Sequence, residues 1–330
     1  MNLGIVGVTG MVVQTFLKVL EDKNLPVDNY FFFASKRSAG KAITFKGKEY
    51  TVIELNKDIT GYDLDIALFS AGGDISREFV PLLSSSGCIV VDNSSVFRMQ
   101  DDVPLVVPEV NKHEISNHNG IIANPNCSTI QAVVALKPLD DKYKIKRIVY
   151  STYQSVSGAG MKGVTDLERG AKGEPPSNFV HQIFGNCLPH IDTFLETGYT
   201  KEEQKMIDET KKILGNQDLK ITATTVRVPV FVGHSESINI EFYNDFELDD
   251  VVSTLKSAPS IIVEDDPENN IYPMPITAAG KDEVFVGRIR RDYSIENGLN
   301  IWVVSDNVRK GAATNAVQIA EVIIREKAKN

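Results

Sequence analysis

The chain has 330 residues, 42% of them hydrophobic and 24% charged, with a formal net charge of −9. That length exceeds what one hydrophobic core usually supports and predicts two domains, and the acidic balance argues against nucleic acid or an anionic membrane as the main partner. No apolar run is long enough to span a bilayer and the start MNLGIVGVTG lacks a basic flank, so a cytoplasmic protein with no membrane attachment is expected.

Residues 2–7 read as a strand and 9–20 as a helix, joined by a turn through Gly7, Thr9, Gly10, Met11, Val12 and Val13. A strand, a glycine turn and a helix in that order form the first part of a dinucleotide-binding motif, in which bare backbone approaches a pyrophosphate at a helix N-terminus. Val13 stands where the usual third glycine would be. The next strand, 30–34, ends in Ser35-Lys36-Arg37-Ser38 rather than in an acid. Basic and hydroxyl groups there suit a 2′-phosphate, hence NADP over NAD; a solvated basic loop is the alternative.

A third strand, 65–70, ends at Ser70 and runs into Ala71-Gly72-Gly73, which either lets a dinucleotide pass close or simply turns the chain. A helix over 76–84 leads to a fourth strand, 88–91, and then to the polar cluster from Asp92 through Asn93 to Arg98. Arg98 is a candidate anion ligand because its planar fork matches phosphate. Residues 104–107 read as a further strand, and 121–123 as another.

Asn124-Pro125-Asn126 then turns the chain, and Cys127 opens an apolar helix that runs to 136. A thiol at a helix start meets unpaired N–H groups and the positive end of the macrodipole, both of which favour the thiolate nucleophile. A buried core cysteine is the competing reading. Cys88 lies in an apolar strand and Cys187 has no helix start, so neither competes as nucleophile. Three scattered cysteines make no disulfide framework, and the five histidines lack the spacing of metal ligands, so no metal is expected.

Beyond residue 136 the pattern changes. A strand over 147–154 precedes a flexible loop, 155–160, and an irregular stretch, 161–198. Residues 201–214 form a charged helix on which Glu202 and Lys205 share a face, as a solvated surface helix also would. Strands at 220–228, 237–243, 260–264, 284–290 and 299–304, with a helix at 248–258, suggest a mixed or antiparallel sheet covered on one side. A largely apolar helix, 310–326, closes the chain.

Over essentially its full length the sequence resembles the aspartate-β-semialdehyde dehydrogenase family. The resemblance is carried by GVTGMVV, ASKRSAGK, LFSAGG, VVDNSSVFR, VPLVVPEVN, NPNCSTIQ, STYQSVSGAG, EEQK, VRVPVFVGHSES, FVGRIRRD and WVVSDNVRKGAA. It implies an α/β plus α+β chain: a Rossmann-type NADP-binding domain, 1–123 plus 307–330, and a mixed-sheet catalytic and dimerisation domain, 124–306. It also implies a homodimer or tetramer that converts aspartate semialdehyde and phosphate to aspartyl phosphate with NADP. The biosynthetic direction is the reduction, toward lysine, threonine, methionine and diaminopimelate.

By the same resemblance Cys127 is the nucleophile, His234 the acid/base and Gln154 the residue that positions substrate and acyl intermediate. Arg227 would hold the α-carboxylate, Glu202 the amino group, and Lys205 with Arg98 the phosphate, with Asn126 beside the substrate. Arg227 lies on an otherwise apolar run, where a bidentate carboxylate accounts for it and an internal ion pair is the alternative. Asn93, Ser157, Gly158 and Asn307 would lie along the cofactor. An N-acetyl-glutamyl-phosphate reductase would share the chemistry but bring no cation to Glu202. A redox-sensing NADP-binding regulator would have no use for Cys127, His234, Arg227 and Lys205 together.

Overall fold

The computed structural model describes residues 1–8 and 10–327, with the side chain of Met11 excepted, so Thr9 and the Met11 side chain of the expected cofactor turn lie outside the described residues. The chain divides into two units, Met1–Pro125 with Ala312–Asn330, and Asn126–Gly311.

The first unit holds strands β1 (Asn2–Val6), β2 (Asn29–Ala34), β5 (Ile53–Glu54), β6 (Ile66–Phe69), β7 (Ile89–Asp92) and β8 (Ile121–Ala123) in the order β5-β2-β1-β6-β7-β8. Every pairing is parallel. Strands such as IALF and IVVD are buried at every position, because helices cover both faces of such a sheet. The connecting helices are α1 (Met11–Lys23), α2 (Gly73–Ser85) and the single turn α3 (Pro108–Asn111). The strand order reverses direction at β1, which puts a crevice at the carboxyl ends of β1, β2 and β6.

Two details of this unit differ from the sequence reading. Residues 104–107 make only one parallel bridge, Leu105 to Ala123, because Pro104 and Pro108 interrupt the ladder at both ends. Between β2 and β5 lies an unexpected antiparallel hairpin, β3 (Ala42–Phe45) and β4 (Lys48–Thr51). Its two-residue loop has both central residues at positive φ, Lys46 at 49° and Gly47 at 70°, the twist that hairpins favour.

The second unit is built on a mixed sheet, β10-β9-β11-β14-β13-β12. Its strands are β9 (Ile145–Gln154), β10 (Lys220–Arg227), β11 (His234–Phe242), β12 (Ile261–Val263), β13 (Val284–Asp292) and β14 (Gly298–Ser305). Its helices are α4 (Cys127–Tyr143), α5 (Met161–Ala171), α6 (Lys201–Leu214), α7 (Leu248–Ser257) and the short α8 (Pro275–Ala278). The helix α4 carries Pro138 inside it and buries most of its length, so it reads as apolar throughout and not as an amphipathic stripe.

Helix α5 occupies part of the stretch expected to be irregular. Its Val164 and Leu167 pack with Val156, Ile183 and Leu188. Gly163 and Gly170 allow this close approach: a Cβ on them would meet Val156 O at 2.3 Å and Phe184 Cβ at 2.6 Å. The expected flexible loop 155–160 is instead a short 3-10 turn, Val156–Ala159, with Ser155, Val156 and Ser157 buried. The chain leaves this unit through a π-helical turn, Arg309–Thr314, and ends in α9 (Asn315–Lys327), whose Ala316, Val317, Ile319, Ala320, Ile323 and Ile324 belong to the core of the first unit. No described helix is long and apolar enough to cross a membrane.

Candidate active site

Four neighbouring strand ends of the mixed sheet carry the polar groups of the second unit. Arg227 ends β10 in register with Gln154, which ends the parallel strand β9. His234 begins the antiparallel β11, opposite Ser305 at the end of β14. Thus residues scattered over 152 positions of sequence become one row, and His234 sits in a strand, wholly buried, rather than in a loop.

Helix α4 brings Cys127 as its first residue, half-buried. Asn126 caps the helix: its Oδ1 accepts the N–H groups of Ser128 at 3.0 Å and Thr129 at 3.3 Å. The same asparagine is held from the other side by α6. Its main-chain N–H donates to Glu209 Oε2 at 2.7 Å, and its Nδ2 donates to Glu202 Oε1 at 2.9 Å. A Cβ on Gly311 would come within 2.9 Å of Cys127 Cβ, so the π turn can back the thiol only with a glycine there.

The charged helix is more than a solvated face, since Glu202, Glu203 and Glu209 are all buried. Glu202 Oε1 also accepts from Gln154 Nε2 at 3.3 Å, and Glu202 Oε2 faces Lys205 Nζ at 3.2 Å. Lys205 in turn donates to Asp192 Oδ2 at 2.8 Å. Burial opposes the Lys205 charge, but the two carboxylates outweigh it and hold the ammonium above the usual lysine value.

Arg227 is buried, and among the described residues its side chain gives one hydrogen bond, from Nη1 to Ser155 O at 2.7 Å. No described carboxylate stands within ion-pair distance, so the internal salt bridge is not formed and most of the guanidinium fork is available to a ligand. Burial lowers its affinity for the proton, with the charges of Glu202 and Cys127 opposing that effect.

His234 Nδ1 lies 3.1 Å from both Ser155 N and Ser155 Oγ. The main-chain N–H needs a bare Nδ1, which leaves the ring proton on Nε2; a protonated Nδ1 would use the serine oxygen as acceptor instead. Each tautomer therefore has a partner. Nε2 is buried with no protein partner among the described residues. Burial, reinforced by the positive charge of Arg227, holds the imidazole well below the ordinary histidine value, so the ring is neutral near pH 7. A Cβ on Gly158 would meet Arg227 Nη1 at 2.6 Å and His234 Nε2 at 3.2 Å, which makes this glycine the wall over both groups. Asn307 Oδ1 gathers hydrogen bonds from Ser155 Oγ, Ser157 Oγ and Gly233 N, so Ser157 and Asn307 fasten the turn behind the histidine.

In the first unit a cavity of about 450 Å³ opens at the strand ends, lined among others by Gly7, Gly10, Ser35, Lys36, Ser70 and Ala71. Gly7, at φ 97°, has no room for a Cβ, which would lie 2.3 Å from Ser70 O. With glycine backbone, a lysine at the end of β2 and no acid there, these residues fit an adenine dinucleotide bearing a 2′-phosphate. Gly72 caps α2 at φ 93°. Arg37 is exposed and Ser38 buried in its turn, and of the four residues Ser35-Lys36-Arg37-Ser38 it is Ser35 and Lys36 that line the cavity. Val13 is wholly buried in the apolar core and Val12 packs against it, so both side chains turn away from the cavity. Asn93 bonds Ser70 Oγ and Asn124, and Arg98 donates to the carbonyls of Asn124 and Asn93, which ties down part of its fork.

Glu209, Ser155, Gly311 and Asp192 were not singled out from the sequence. Glu209 has a signal, because it lies two turns after Glu202 on the same helical face. The other three act through contacts with residues far away in the chain.

Two family descriptions cover most of the chain: "Semialdehyde dehydrogenase, NAD binding domain" matches residues 2–118 and "Semialdehyde dehydrogenase, dimerisation domain" matches 136–310. The chain is 58% identical to an aspartate-semialdehyde dehydrogenase of Aquifex aeolicus, covering 98% of each sequence. It is similar to the crystal structure of aspartate semialdehyde dehydrogenase II complexed with ASA from Vibrio cholerae, with 45% identity, 98% of each chain covered and a TM-score of 0.93. It is also similar to the Candida albicans enzyme solved with NADP, at 28% identity, 98% coverage of each chain and a TM-score of 0.76.

Proposed function

The chain belongs to the aspartate-semialdehyde dehydrogenase family, and on that premise we propose how its residues interconvert L-aspartate 4-semialdehyde and L-4-aspartyl phosphate with NADP. The observation that carries the reading is the row Arg227, Gln154 and His234 on adjacent strand ends, in the same unit as a cysteine at a helix start.

In the oxidising direction the Cys127 thiolate adds to the aldehyde carbon, and the oxyanion so formed takes a proton from water to give the neutral thiohemiacetal. His234, in the tautomer with Nδ1–H donated to Ser155 Oγ, takes the hydroxyl proton at Nε2 as hydride leaves the carbon. The bound NADP supplies the hydride acceptor. A phosphate oxygen then attacks the thioester carbon and the cysteine sulfur leaves as thiolate, so one difficult step becomes two easier ones. In the reverse direction Nε2 returns its proton to the oxygen of the same intermediate, with Nδ1–H still donated to Ser155 Oγ, so one atom serves both directions.

Arg227 fixes the substrate α-carboxylate by its open fork, and Glu202 meets the α-amino group. Lys205 and Arg98 bind phosphate. Gln154 and Asn126, both hydrogen-bonded to Glu202, hold the acyl group in line with the sulfur. The first unit, through Gly7, Gly10, Ser35, Lys36, Ser70, Ala71, Gly72 and Asn93, carries the cofactor; the family resemblance assigns Ser157, Gly158 and Asn307 of the second unit to cofactor binding as well. The second unit carries catalysis and dimerisation. A homodimer is supported by the family's dimerisation domain and by the exposed apolar groups Tyr153, Tyr272 and Met274 around a cavity of about 400 Å³ on the mixed sheet. Its place is the cytoplasm.

Mass spectrometry of enzyme quenched with aspartyl phosphate in the absence of NADPH tests the reading. An acyl adduct on the Cys127 peptide is expected. NADP reduction with N-acetyl-glutamate semialdehyde but not with aspartate semialdehyde would instead identify the sister reductase, which leaves Glu202 without a cation.

A further inference from the structure

Lys205 is one ammonium between two carboxylates, Asp192 at 2.8 Å and Glu202 at 3.2 Å. A phosphate that binds Lys205 must enter a triad that is already net negative, so one of the two acids has to yield. They differ in how firmly they are held. Glu202 is buried on a helix and its other oxygen is fixed by Asn126 and Gln154. Asp192 is about a third exposed, lies on an irregular segment, and takes a left-handed backbone at φ 67°, where its Oδ1 accepts its neighbour Thr193 N–H at 2.8 Å. Its bond to Lys205 is the only one that links its Oδ2 to the rest of the unit among the described residues. Asp192 is thus the group that can turn away at low cost, whereas moving Glu202 would undo the clamp on Asn126.

We propose that Asp192 is a displaceable internal counter-ion, which occupies Lys205 in the phosphate-free enzyme and competes with phosphate for it. The proposal rests on the assignment of Lys205 to phosphate given above. In that role the aspartate keeps the lysine extended toward the site and sets how much phosphate is needed to capture the thioester. It also helps release phosphate when the enzyme runs in the reducing direction, because the carboxylate is the next ligand for the vacated ammonium.

The test is steady-state oxidation of aspartate semialdehyde at saturating NADP with inorganic phosphate as the varied substrate. Asp192→Asn preserves shape, tolerates the left-handed backbone and can still accept from Thr193 N–H, but has no charge. It should lower the KM for phosphate about threefold or more, the scale of a partly exposed ion pair, with kcat retained or raised. Asp192→Gly, suited to the same φ, should do likewise and covers the case in which the asparagine variant folds poorly. Lys205→Met should raise the phosphate KM about tenfold or more. A phosphate KM unchanged or raised in both Asp192 variants, with Lys205→Met still defective, would overturn the proposal and make Asp192 a residue that merely positions the lysine. A phosphate KM untouched by Lys205→Met would refute the phosphate assignment itself, and the proposal with it.

Discussion

Gly311 stands so close to Cys127 that a methyl group on the glycine would lie 2.9 Å from the cysteine Cβ and 3.3 Å from its Cα. The smallest substitution at this position therefore pushes on Cys127 and on the first turn of α4. Gly311→Ala should lower kcat about a hundredfold, the scale of a displacement near 1 Å at reacting atoms, while NADP binding is retained. Stopped-flow hydride transfer and cofactor fluorescence would measure the two separately. Full activity would show that the π turn yields instead.

The clamp on Asn126 predicts a graded series at Glu209. Glu209→Ala leaves a main-chain N–H buried without its acceptor and should cost about 1–3 kcal/mol in chemical denaturation, with a fall in kcat. Glu209→Gln keeps an acceptor oxygen and should recover most of the stability. Equal losses in the two variants would mean that the charge, and not the hydrogen bond, matters.

His234 gives a pH signature. Its proton affinity is depressed by burial and by Arg227, so the group is neutral well below pH 6.5 and the acid limb of kcat/KM should lie below that value. In the unfolded chain the same side chain binds a proton near pH 6.5, which means that stability falls as pH drops below about 6.5. Nitrogen-15 spectra of the free enzyme should show a neutral His234 ring, with one bare and one protonated nitrogen, near pH 7. A His234 signal that titrates between pH 6 and 8 would contradict this.

Glu236 works in the opposite sense. Both its oxygens are buried without a hydrogen-bond partner among the described residues. Burial first, and the charge of Glu202 next, raise its carboxyl well above the ordinary range, with Gln131 opposing. The folded protein holds this proton to higher pH than the unfolded chain, which loses it above about pH 4.3, so the group costs more stability as pH rises past that value. Glu236→Gln should raise the Tm at pH 7 and leave it nearly unchanged at pH 4. A lower Tm at both pH values would show that the carboxyl is needed for packing.

Asp166 anchors the segment after Pro175-Pro176. Burial pushes its carboxyl up, but the N–H groups of Phe179, Ser177 and Asn178 and the Ser177 hydroxyl more than reverse this and hold it far below the usual range. Its stabilisation is complete above the unfolded value near pH 3.9 and is lost as pH falls through the lower folded value. Asp166→Ala should cost about 3 kcal/mol or more at pH 7, because three main-chain donors lose their acceptor. A variant within 1 kcal/mol of the parent by urea titration would exclude this role.

Much of the fold was legible because its signals are local. The parallel strands IALF and IVVD announce themselves as continuous apolar runs, Gly7 marks the first turn, and Asn126-Cys127 marks a capped helix start. The hairpin around Lys46-Gly47 was equally local and went unread. Helix α5 did not register because Gly163 and Gly170 are poor helix formers; they are used there for the close approach of Val156 and Phe184.

By itself the sequence determined the residue types of the chemistry: a cysteine at a helix start, one histidine, one arginine on an apolar run, and an acid and a lysine one turn apart. The cysteine, the arginine and the acid–lysine pair follow from covalent order and from helix and strand periodicity; the histidine stood out only through the family resemblance. Tertiary structure decided which of them meet and in what state. Parallel pairing of β9 with β10, and antiparallel pairing with β11, set Gln154, Arg227 and His234 side by side. Burial pushed the His234 imidazole toward its neutral form and the Glu236 carboxyl toward its protonated one, and the bond between Asp192 and Lys205 joined a loop to a helix. Contacts between distant segments, and the loss of water that accompanies them, are set by packing of the whole unit, and no local pattern encodes them.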